Sequence, residues 1–104
     1  MPVRPVNVSF VVVDSKEAEV LKKKLVEQTY TPAIASHISG ILHQLSTTNT
    51  LVLGGMSLVA FNAVLTDIIA ESSTDGDDFL ALRRTLHKVQ TEVTNRYNEI
   101  TQQH

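Results

Sequence analysis

The stretch from Thr50 to Ile69 constrains this chain more than any other part of it. No charge occurs between Thr50 and Thr66, and Ile68 and Ile69 carry the apolar run past Asp67. Apolar surface on that scale must leave water, in a packed domain, an oligomer or a membrane. A membrane-spanning helix needs roughly 20 consecutive apolar residues. Here Gly54-Gly55, Asn62 and Asp67 interrupt the run, and its flanks lack the basic and aromatic belts of a membrane anchor. The expectation is a buried helix at the centre of the molecule, with a single membrane span as the minor alternative.

Composition allows such a centre. The 104 residues bound one domain, 1–104, with 1–5 and 102–104 expected to fray. At 42% hydrophobic and 19% charged, the chain has too much apolar surface and too little charge to stay disordered. The core must be aliphatic, because there is no Trp and the only aromatics are Phe10, Tyr30, Phe61, Phe79 and Tyr97.

Around the central segment the pattern predicts a mainly helical α+β domain, an N-terminal strand followed by about four helices. Val6 to Val13 is dominated by β-branched residues and reads as a strand. Pro5 suits its start or edge, since proline cannot donate to a ladder. Asp14 or Ser15 caps a first helix over about 16–28, and Asp14 with Glu17 resembles a capping box. Ala18, Leu21 and Leu25 share its apolar face, and Glu19 with Lys23 forms an i,i+4 pair outside. Thr31 then acts as N-cap and Pro32 as first residue of a helix to about Leu45. Ile34, Ile38, Ile41, Leu42 and Leu45 make its stripe, while Ser36, Gly40, His43 and Thr47 face away. Gly40 lowers helix propensity by roughly 1 kcal/mol, so a close neighbour is expected there.

After the polar break 46–49, residues 50–53 read either as a short second strand or as the first turns of a helix. From 56 to 71 helix is the better reading, on length. Its sparse polar line is Gly55, Asn62, Thr66 and Ser73, which needs partners if it lies inside. A loop over 72–76 follows, then Asp77 and Asp78 at the favourable N-terminus of a last helix running nearly to the end. Phe79, Leu82, Leu86, Val89, Val93, Tyr97 and Ile100 form its seam, spaced three and four apart.

No catalytic, nucleotide or metal motif stands out. Val11-Val12-Val13-Asp14 puts an acid at the end of a strand, where α/β sheets often hold functional groups. Leu53-Gly54-Gly55 feeds a helix whose N–H groups can hold an anion. Neither carries a glycine-rich phosphate motif. Asp14 reads mainly as a cap, and Gly54-Gly55 as a turn or close-packing site. His37 and His43 are six apart on different helix faces, and no acid in that helix completes a ligand pair. With His87 and the terminal His104 they read as surface or rim residues. No Gly-x-Ser-x-Gly turn frames a serine. No cofactor or metal is expected, and catalysis is not favoured.

The formal charge of −2 and the acids near Lys22-Lys23-Lys24 and Arg83-Arg84 argue against nucleic-acid binding. The absence of Cys removes disulfides and thiolate chemistry, and Met1 to Pro5 carries no secretory pattern. A cytoplasmic setting is the default. A lone buried strand leaves backbone groups unpaired, so the N-terminal strand pairs either with 50–53 or with its counterpart in a second chain. The latter makes a homodimer, the assembly expected here.

Two functional classes stay open. One is a small protein-interaction or regulatory module of the adaptor, immunity or phage accessory kind, acting on a protein partner. The other is a small-molecule binder or enzyme, with Asp14, Gly54 and Gly55 at the mouth of a pocket and Asn62 and Thr66 inside it. A helix-turn-helix DNA binder is a distant third.

Overall fold

The computed structural model describes residues 8–72 and 76–102. Among them the order is β1 (Val8–Val12), α1 (Ser15–Val26), α2 (Pro32–Thr47), β2 (Thr50–Gly54), α3 (Gly55–Glu71) and α4 (Asp77–Gln102). The class is the mainly helical α+β arrangement expected. The expected fraying at 1–5 and at 103–104, the starting residues Val6 and Asn7, Ser73 of the polar line, and His104 all fall outside the described residues. Gln102, expected to fray, closes α4.

Residues 50–54 form a strand. β1 and β2 pair antiparallel, with Val8 opposite Gly54, Phe10 opposite Val52 and Val12 opposite Thr50. The bond from Val13 N–H to the Asn49 carbonyl, 2.9 Å, extends the ladder by one rung. β1 is therefore paired within the chain, and its inner edge needs no second chain. The pleat sends alternate side chains to opposite faces. Ser9, Val11, Leu51 and Leu53 point inward and are buried, whereas Phe10, Val12 and Val52 point outward and are exposed.

The first helix begins as its sequence dictates. Asp14 accepts from the Glu17 N–H at 2.7 Å and the Glu17 carboxylate accepts from the Asp14 N–H at 2.8 Å, completing the capping box. Val20, Leu21 and Leu25 are buried, and Ala18 packs at the margin. In place of the expected Glu19–Lys23 pair, Glu19 lies 3.8 Å from Lys16 within α1 and Lys23 turns to α4. Lys23 reaches Asp78 of α4 at 2.8 Å and Lys16 reaches it at 3.2 Å. Tyr30 donates to the Leu25 carbonyl at 2.6 Å and ties the connection down. Its burial raises the phenol above its ordinary pKa.

In α2, Thr31 and Pro32 take the expected N-cap and first helical positions, but the Thr31 hydroxyl makes no capping bond. Ile38, Ile41 and Leu45 are buried, with Ile34 and Leu42 packed beside them. Gly40 is a correction. A Cβ there would meet nothing within 4 Å, so no close neighbour requires the glycine.

α3 is the central element. It packs against α2, α4 and both strands, and buries Leu58, Ala60, Phe61, Val64, Leu65 and Ile68. No helix among the described residues is long and apolar enough to cross a membrane, which overturns the minor alternative. Gly76, with φ +101°, introduces α4 in a conformation that favours glycine. The seam of α4 is buried at Leu82 and Val89, half-buried at Val93 and exposed at Tyr97, and Ile100 lies beyond the described side chains. Ala81 and Thr85, outside the expected seam, are buried too. The Thr85 hydroxyl is satisfied by the Ala81 carbonyl at 3.0 Å.

Candidate functional site

The β1–α1 junction brings Asp14, Glu17, Arg84 and Lys88 together. Beside the capping box, Lys88 of α4 donates to the Val12 carbonyl at 2.9 Å and to Glu17 Oε1 at 2.7 Å. Arg84 lies 3.6 Å from Asp14 and 3.7 Å from Glu17 Oε2. Glu17 is fully buried, and its Oε2 accepts no hydrogen bond. The hydrogen bond from the Glu17 N–H holds the Asp14 carboxyl below its ordinary pKa, with Arg84 and Lys88 adding to the effect. A buried carboxylate must be paired, and here Glu17 is paired from two sides. The cluster clamps the end of β1 onto α4.

The edges of the sheet differ in a way that bears more on function. In an antiparallel ladder successive residues alternate between bonding the partner strand and pointing away from it. Val52 points away from β1, because both its backbone groups bond the Gln44 side chain. Its N–H donates to Oε1 at 2.7 Å and its carbonyl accepts from Nε2 at 3.0 Å. By the same register the N–H and carbonyl groups of Val8, Phe10 and Val12 point out from the opposite edge. Of these, the Val12 carbonyl takes Lys88. Phe10 and Val12 are 57% and 56% exposed, so the apolar face beside this edge is open, while α4 packs along the edge itself. A groove of about 340 Å³ runs along this edge between Phe10 and Val12 and the His87, Lys88, Thr91 and Glu92 side of α4. Leu80, 55% exposed, lines a neighbouring concavity with Arg83, Arg84, His87 and Lys88.

A second apolar groove, about 450 Å³, lies between α3 and α4. Met56, Val59 and Tyr97 stand exposed there beside Val93 and Arg96. Elsewhere His37 Nδ1 meets Ser57 Oγ at 2.8 Å, joining α2 to α3. Among the described residues this is the nearest approach to a nucleophile–base pair. Among the described residues no third group orients the imidazole, as such chemistry requires. No group of three His, Asp or Glu residues with metal-binding geometry occurs among the described residues either.

The residues singled out from sequence do not gather in one place. Asp14 lies beyond the Val12–Thr50 end of the sheet and Gly54-Gly55 at the Val8 end. Six residue steps, from Val8 to Asp14, separate those levels, roughly 20 Å at about 3.4 Å per residue. Asn62 is half-buried with Oδ1 unbonded, while Thr66 is exposed and donates to the Asn62 carbonyl at 2.8 Å. Sequence reasoning missed Gln44, Glu17 as a buried charge, and Lys88. Only Glu17 left a signal, as the fourth position of the capping box. Comparison with protein-family models, with curated proteins and with solved structures finds no match to this chain.

Proposed function

We propose that this chain is a small protein-interaction module that docks its partner along the free edge and outer face of β1. An adaptor or regulatory role inside the cell is the setting in which a cysteine-free domain of this kind would work. One observation carries the reading: Phe10 and Val12 expose their side chains while their strand edge offers backbone donors and acceptors. An exposed edge is a ready template for a further strand, and strand addition is a recurring recognition mode. Soluble proteins usually blunt such edges, and β2 is blunted by Gln44. The alternative of a small-molecule pocket shared by Asp14 and Gly54-Gly55 has less support, because those residues sit at opposite ends of the sheet.

The test is photo-cross-linking in the cells that make the protein. A benzophenone amino acid replaces Phe10 in one variant and His43, exposed on α2, in another. Adducts are expected from position 10 and not from position 43. Adducts from neither, or equally from both, would remove β1 as the docking surface.

A further inference from the structure

We infer that the groove between α3 and α4 is a binding site for a small monocarboxylate with an apolar body, held at its anionic end by Arg96. The groove measures about 450 Å³, within the range of small-molecule sites. Met56, Leu58, Val59 and Val93 line it with hydrocarbon, and among the described residues that line it Arg96 alone is charged. Lys88, on the same helix and likewise half-buried, meets the Glu17 carboxylate at 2.7 Å. Arg96 has no such counter-ion: among the described residues no carboxylate comes within 4 Å of its guanidinium. Glu92, four residues earlier, stands at the spacing and in the order that favour a pair within one helix. The guanidinium turns instead over Gly55 of α3, where Nη2 lies 3.6 Å from the position a Cβ would take.

That placement leaves positive charge uncompensated. A half-buried cation gives up part of its hydration and calls for an anion in return. α3 begins at Gly55 without a side-chain cap, so the N–H groups of its first turn add to the positive potential there instead of relieving it. They do not make the site by themselves; the unpaired guanidinium in an apolar groove does. The lining then selects the ligand. A guanidinium fork matches one carboxylate in a bidentate pair, and a single cation does not call for a dianion. Past that pair the walls offer Met56, Val59 and Val93, which a hydrocarbon or aryl body covers. A peptide lying along the same walls would leave its backbone amides unpaired, so a short organic acid fits and a chain segment does not. The site lies further along α4 than the β1 edge and does not depend on the interaction reading.

Octanoate and octanamide share a chain and differ in the charge of the head, so together they test the site on the unmodified protein. In titrations followed by backbone amide resonances, octanoate should saturate, with its largest shifts at 55–59 and 93–97. Octanamide should bind about tenfold more weakly, the loss expected when a charge-assisted pair is removed. Arg96→Gln should bring octanoate down to the octanamide level, and Arg96→Lys, which keeps the charge without the fork, should fall between. Unchanged helical circular dichroism checks that each variant folds. Octanoate shifts that never saturate, equal binding of octanamide, or largest shifts at Phe10, Val12 and Leu80 would each overturn the inference. Should Arg96→Gln not fold, the ratio of the two affinities and the location of the shifts decide by themselves.

Discussion

The two strands are equally long and pair residue for residue, yet their outer edges meet opposite treatment. Beside β2 stands a glutamine, whose carboxamide both donates and accepts, so Gln44 satisfies the N–H and the carbonyl of Val52 together. Beside β1 stands a lysine, which only donates, so Lys88 satisfies one carbonyl and leaves the N–H groups of Phe10 and Val12 without a strand partner among the described residues. One residue type on the flanking helix decides whether an edge is closed or left open to another chain. Val52, on the same face, is 44% exposed, yet its backbone is taken.

The largest effect that sharpens this comparison separates the two faces of β2. Leu53 points into the core with 1% exposure, and truncating a buried leucine to alanine costs about 2–5 kcal/mol. Leu53→Ala should therefore lower the denaturant midpoint sharply. Val52→Ala, one residue away on the outer face, should change it by no more than about 0.5 kcal/mol, as surface substitutions do. Equal losses would mean that the outer face is covered in solution, and that β2 is not an outermost strand.

A smaller effect addresses the edge itself. Gln44→Ala removes two hydrogen bonds that each contribute about 0.5–1.5 kcal/mol, so urea unfolding should report a loss of about 1–3 kcal/mol. The more telling readout is association. Opening the β2 edge gives each chain two free edges, and light scattering should shift from a discrete species to concentration-dependent larger ones. A variant that is destabilised but still discrete would show that Gln44 supports stability without guarding the edge.

How far sequence reading reaches follows the same division. Elements governed by local periodicity and capping were legible: the β-branched run of β1, the Asp14–Glu17 box, the stripe of α2 and the apolar length of α3 all appear where their residues indicate. The pairing of β1 with β2 was legible only as one of two alternatives, because a strand states its need for a partner but not which chain supplies it. Gln44 and Lys88 were illegible. Each lies on a helix within an ordinary polar pattern, and its role exists only once the sheet has been laid beside that helix. Asp14 and Gly54-Gly55 looked like one site because both flank strands, but antiparallel register places them at opposite ends.

The smallest effect concerns pH. Gln44 carries no titrating group, so the closure of β2 should persist into acid. The far end of β1 is held differently, since the Asp14 carboxyl lies below its ordinary pKa of 3.8 through the Glu17 N–H, Arg84 and Lys88. A carboxylate with a lowered folded-state pKa adds stability that is fully present above the unfolded value near 3.8. That stability is lost as pH falls through the lower folded value. Acid should therefore loosen the β1–α1 junction first. Hydrogen exchange below pH 4, corrected for intrinsic rates, should show the Glu17 N–H, bonded to Asp14 at 2.7 Å, losing protection while the Val52 N–H, bonded to Gln44 at 2.7 Å, keeps it. Asp14→Asn keeps a capping acceptor but removes the titration, so it should flatten the difference between the two amides. If both amides lose protection together in the wild type, the two edges are not held independently and the contrast between them fails.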